Sequence, residues 1–101
     1  MANICDNTFY AYSENSKNID HIEKFLSENF YENCCERIDE FSLDAHFDSK
    51  WTFPNELMDK MFNELPDKDN IYMRCLSVEY GCDYIGYFKC EDKLGWYDAL
   101  I

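Results

Sequence analysis

The chain has 101 residues, enough for one domain around a single hydrophobic core, and its 47% apolar and 18% aromatic content excludes a disordered acidic tail. Its 21 acids against 9 bases give a net charge of −12, which repels nucleic-acid phosphates and disfavours an anionic membrane surface. The acids are spread along the chain as solvated faces, which fits solubility or a partner protein with a basic surface.

The opening MANICDNTFY has neither a basic n-region nor an apolar h-region, and no run reaches the length of a membrane span, so a cytoplasmic protein is expected. Residues 5–12 (CDNTFYAY) put Phe9 and Ala11 on one side and Thr8, Tyr10 and Tyr12 on the other, the pattern of an aromatic-rich strand. Residues 13–16 read as a turn, with Ser16 or Asn18 capping a helix over 18–30. Its stripe is Ile19, Ile22, Phe25, Leu26 and Phe30, recurring at steps of three and four. Residues 31–40 are polar and read as helix fraying into a loop.

The stretch 41–53 (FSLDAHFDSKWTF) is apolar at every odd position except Ser49 and polar at every even one. That is the period of a strand with one buried face, and its wet face carries Asp44, His46, Asp48 and Lys50. Such charges suit an edge, and Trp51 extends the buried face as a core residue. Pro54 opens a second helix with the stripe Leu57, Met58, Met61, Phe62 and Leu65, halted by Pro66. Residues 71–80 (IYMRCLSVEY) form a strand apolar on both faces in its second half, hence central. Residues 84–90 form the next, with Gly86 at a bulge or close approach, and 94–101 adds a short edge segment or covers the core. Grouped as βαββαβ with right-handed crossovers, these elements predict an α+β, ferredoxin-like domain: a four-stranded antiparallel sheet with both helices on one face.

Three motifs, the start MANICDNTF, FDSKWTFP at 47–54 and EYGCDYIG at 79–86, match a known family in order and spacing. Together they resemble the YubB-type ferredoxin-like domain of phage- and plasmid-encoded accessory proteins, over residue 1 to about residue 90. Two departures stand out: the insertion after the first helix is cut to residues 31–40, and the usual Trp-(Ser/Thr)-Pro-Pro becomes Trp-Thr-Phe-Pro. The resemblance carries no catalytic residues. It implies a mobile-element setting, in which small stand-alone proteins often counter host defence.

The six cysteines (Cys5, Cys34, Cys35, Cys75, Cys82, Cys90) are expected to be reduced thiols in the cytoplasm. With no C-x-x-C and with His21 and His46 far from any cysteine pair, no metal or cofactor is expected. If Phe9, Ala11, Leu43, Ala45, Phe47, Ile71, Met73 and Cys75 face the helices, then Tyr10, Tyr12, Asp44, His46, Asp48, Tyr72 and Arg74 share the other face. Tyr87 and Lys89 join them if Gly86 does not shift the register. Tyrosines of this kind suit an interface as well as plain cross-strand pairing. Asp44, His46 and Asp48 lie about 7 Å apart by strand rise, too far to converge unaided, and no nucleophile–base set accompanies them, so an enzyme is not expected. RNA-recognition domains stack bases on sheet aromatics, but here Arg74 and Lys89 stand against many acids, and direct nucleic-acid binding is not expected.

The leading expectation is a protein that inhibits a host defence factor, such as a CRISPR effector or another nuclease, by occupying its basic nucleic-acid-binding surface. Asp39, Glu40, Asp44, Asp48, Glu79 and Asp83 would stand in for phosphates, with His46, Tyr10, Tyr12 and Tyr72 beside them. The alternative is a self-associating structural module, a homodimer through its tyrosine face.

Overall fold

The computed structural model describes residues 4–30 and 32–100; Met1 to Asn3 of the opening motif, Tyr31 and Ile101 lie outside the described residues. In chain order the elements are β1 (Ile4–Tyr12), α1 (Ser16–Asn29), β2 (Asn33–Asp39), β3 (Ser42–Lys50), α2 (Asn55–Asn63), β4 (Tyr72–Glu79), β5 (Tyr84–Glu91) and β6 (Trp96–Asp98). They form one antiparallel sheet with the strand order β2-β3-β1-β4-β5-β6.

The fold is α+β, but the four-stranded ferredoxin-like sheet expected from the sequence is overturned, because the sheet has six strands. Asn33–Asp39, read from sequence as a frayed loop, is a strand along the outer side of β3. This strand makes the chain begin β-α-β-β-α-β; without it the elements read from sequence run β-α-β-α-β-β, which is not the βαββαβ order under which they are grouped. It shows no apolar period because it is an edge strand wet on most of its surface; even Ile38 is 50% exposed. Its pairing displaces β3, expected at an edge, into the interior of the sheet. At the far side, β6 pairs with β5 through only three residues and forms the other edge.

Both helices bury their stripes in one core. Ile19, Ile22, Phe25 and Leu26 of α1 and Met58, Met61 and Phe62 of α2 pack with Phe9, Ala11, Ala45, Phe47, Met73 and Cys75 of the sheet. The helices therefore cover the face formed by the odd-numbered residues of β1, and α1 is pinned to β2 by Arg37, which meets Asp20 and Glu23 at 3.0 Å each. Asn15, rather than Ser16 or Asn18, caps α1, accepting from the Lys17 N–H. Asn18 is fully buried: its amide donates to the Asp67 and Asn70 carbonyls at 2.7 and 2.9 Å, and its oxygen accepts the Asp67 N–H at 3.0 Å.

The Trp-Thr-Phe-Pro junction is built from two three-residue turns. The Thr52 N–H reaches the Lys50 carbonyl around Trp51, whose φ is +71°, and the Asn55 N–H reaches the Phe53 carbonyl around Pro54. The first turn rotates Trp51 out of the strand's alternation, so it is 53% exposed and not the core residue the sequence predicts. Phe53 enters the core instead and stacks on Phe88 with ring centroids 4.0 Å apart. Gly86 is a close approach without a bulge, since the β4–β5 register runs unbroken through Ser77 and Gly86.

Candidate interaction face

With the helices on one side, the even-numbered face of β1 and its partners is open, and the register fixes what stands on it. Glu36, Asp44, Tyr10, Arg74 and Lys89 form one row across β2, β3, β1, β4 and β5. Cys34, His46, Thr8, Leu76 and Tyr87 form the next, and Asp48, Asp6, Val78 and Ile85 a third. On the other side of the first row lie Ser42, Tyr12, Tyr72 and Glu91.

The face divides by charge. Arg74 sits 4.3 Å from the Tyr10 ring centre and 5.8 Å from that of Tyr72, and Lys89 lies 5.8 Å from the Tyr87 ring centre. These cations rest on aromatic faces, a favourable contact with the ring quadrupole. The acids Asp6, Glu32, Glu36, Asp44 and Asp48 have no lysine or arginine partner among the described residues. Asp6 and Asp48 stand directly opposite each other on β1 and β3, and the Asp48 N–H bonds the Glu32 carbonyl, which brings Glu32 alongside. Burial first, then the nearby charges of Asp6 and Glu32, raise the Asp48 carboxyl above its ordinary range.

Of the residues predicted to bind a partner, Tyr10, Tyr12, Tyr72, Asp44, His46 and Asp48 are brought onto this face. Asp39 and Glu40 are at the β2–β3 turn, where the Asp39 carboxylate accepts from the Phe41 N–H at 2.7 Å and the Ser42 hydroxyl at 3.1 Å. Those bonds, the Phe41 N–H foremost, lower its pKa and give it a turn-holding role. Asp83 is in an exposed left-handed turn before β5, apart from the tyrosines. Glu79 must be corrected: it is only 3% exposed, on the core side of β4 with Met73, Cys75 and Ser77, and its carboxylate accepts the Gly81 N–H. It holds the tight turn of the EYGCDYIG motif and is no part of an exposed acidic surface.

Cys34 and Cys35, adjacent in sequence, point to opposite faces. Cys34 is exposed beside His46, while Cys35 packs against the core and burial pushes its thiol up to about 11. Among the described residues no three His, Cys, Asp or Glu side chains converge as metal ligands.

Sequence reasoning missed Asp6, Glu32, Glu36, Leu76, Val78, Tyr80 and Ile85 as members of this region. The parity of Tyr10 and Thr8 already placed Asp6 there, whereas Glu36 and Glu32 became visible only once β2 was paired. Five of these residues join Asp48 in lining an open groove of about 520 Å³, with Asp6, Glu32 and Asp48 toward β3 and Leu76, Val78 and Tyr80 toward β4, while Glu36 and Ile85 lie outside it. Leu76 is 41% exposed, Ile85 58% and Tyr80 75%, so the acidic wall adjoins an apolar shelf. No family model, curated protein or solved structure matches the chain. Among the described residues no helix is long and apolar enough to cross a membrane.

Proposed function

We propose that this is a small acidic interaction protein that binds a host protein through its open sheet face and occupies a basic, nucleic-acid-binding surface. The observation that carries this reading is the set of carboxylates on that face: among the described residues Asp6, Glu36, Asp44 and Asp48 have no cation partner, and each lies on a strand paired into the sheet. Fixed anions on a pleated surface meet the cations of a phosphate-binding groove without having to be ordered first. The mobile-element setting and the defence factor as target, a CRISPR effector or other nuclease among the candidates, rest on the resemblance of the three motifs to the YubB-type domain. The site residues on this reading are Asp44, His46, Asp48, Tyr10, Tyr12 and Tyr72, joined by Asp6 and Glu36.

Affinity capture from the natural host tests it, comparing the natural chain with an Asp44→Asn/Glu36→Gln variant. The expected catch is a basic nucleic-acid-binding protein, released by salt and by its own nucleic acid, and recovered poorly by the variant. Absence of such a protein, or equal recovery by both chains, would overturn the reading.

One observation favours the second reading, a homodimer. Arg74 and Lys89 share the face with Glu36 and Asp44, so a twofold packing of two sheets can set opposite charges against each other. Light scattering separates the readings: a monomer leaves the face free for a foreign partner, and a tight dimer hides it.

A further inference from the structure

The groove between β3 and β4 has a feature that folding alone does not explain. Asp6 and Asp48 are directly opposite on neighbouring strands, an arrangement of like charges that weakens a sheet. Their strands are fixed to each other by more than the sheet's own ladder. Beneath them, on the core side, Asn7 donates to the Phe47 carbonyl at 3.0 Å and to the Ser49 hydroxyl at 2.9 Å, both on β3. Its oxygen accepts from Ser77 of β4 at 2.6 Å, so one fully buried side chain ties together the three strands under the groove. The strands that carry the two carboxylates are thus tied together beneath the groove, and Glu32 lines it with them. Across the groove stand the exposed side chains of Leu76 and Tyr80, and beyond Val78 the exposed Ile85 continues the apolar surface onto β5.

Resting on the reading above, we propose that this groove takes an arginine of an extended segment of the partner protein, with its guanidinium between Asp6 and Asp48 and its stem and apolar neighbours on Leu76, Val78 and Tyr80. Arginine fits better than lysine because its planar fork offers several donors to two carboxylates at once. It is also weakly hydrated and stacks on an aromatic ring such as that of Tyr80. The apolar shelf selects a segment with apolar residues flanking the arginine over a free cation or a uniformly polar basic tail.

The probe is a capped heptapeptide alternating valine and arginine, titrated into the full isotope-labelled chain and followed by amide chemical shifts. Saturable changes are expected at Asp6, Thr8, Asp48, Leu76 and Val78. The Asp6→Asn/Asp48→Asn variant, which removes a repulsion and so should fold, is expected to bind about tenfold more weakly or worse, a loss of about 1.4 kcal/mol or more. An Asp59→Asn/Glu64→Gln variant, losing the same charge from exposed positions around α2, should bind as the natural chain does. A peptide with serine in place of valine should bind several-fold more weakly. Equal binding of the two peptides, equal weakening by the two variants, or calcium chloride saturating the same amides at lower concentration would overturn the proposal. If the peptide binds here but host capture yields no basic protein, the groove stands and the inhibitory function falls. If a basic protein is captured equally well by the Asp6→Asn/Asp48→Asn variant, the function stands and the groove falls.

Discussion

A Cβ built on Gly86 would meet the Tyr84 hydroxyl at 2.5 Å and the Phe88 ring at 2.6 Å. Phe88 has little freedom to retreat, since its ring is stacked on Phe53, which in turn lies 5.2 Å from Trp96. A methyl group here is therefore an overpacking change in a filled aromatic cluster. Gly86→Ala should lower stability by about 1–3 kcal/mol, read as a shifted urea midpoint with unchanged slope. An unchanged midpoint would show that the cluster yields. Glu79 and Trp51 make the complementary point: strand parity places the first, whereas a turn displaces the second. Glu79 is inside because its parity puts it there and the Gly81 N–H meets its carboxylate. Trp51 is outside because the chain turns at that residue, with a φ only sparsely adopted by side-chain-bearing residues.

At the scale of elements, α1 is fixed at two places by different chemistry. Arg37 ties its middle to the edge strand β2 through Asp20 and Glu23, contacts partly open to water and so worth little alone. Asn18 ties its first turn to the loop before β4 through three bonds made by its own buried side chain. Asn18→Ala improves local helix propensity but leaves the Asp67 N–H and two carbonyls without their partner. We expect a net loss of about 1–3 kcal/mol and faster amide exchange at Asp67. A gain in stability would mean that propensity outweighs the buried bonds. The edge strand shows why element patterns mislead: β2 owes its conformation to backbone bonds with β3, and such bonds leave no mark on side-chain periodicity.

For the molecule as a whole, the decisive quantity is an excess of negative charge that the fold arranges unevenly. On the open face Arg74 and Lys89 lie on tyrosine rings and Lys50 stands at the end of β3, and the carboxylates between them are left without a cation among the described residues. Asp48 carries the sign of this arrangement. Its folded pKa is raised, so below the unfolded value the pair exerts no penalty. The penalty grows as pH climbs from the unfolded value to the raised folded one, and it is complete above that. Asp48→Asn should therefore be more stable than the natural chain at neutral pH by about 0.2–1 kcal/mol. The gap should close as the pH falls below the ordinary carboxylate range and shrink with added salt. Thermal melts across pH check this; a gap that is independent of pH would remove the like-charge account.

The sequence by itself determined the two helices, four of the strands, most of the core, and the parity that sends Tyr10, Tyr12, Asp44, His46 and Asp48 to one face. It could do so because burial on one side imprints a period of two or of 3.6 on the residues. Tertiary structure alone decided that residues 33–39 pair as an edge strand, that β3 lies inside the sheet, and that Trp51 turns out. It also decided that Asp6, Glu32 and Asp48 line one groove beside an apolar shelf. Those outcomes depend on partners distant in sequence and on single backbone turns, and neither is written in the spacing of apolar residues.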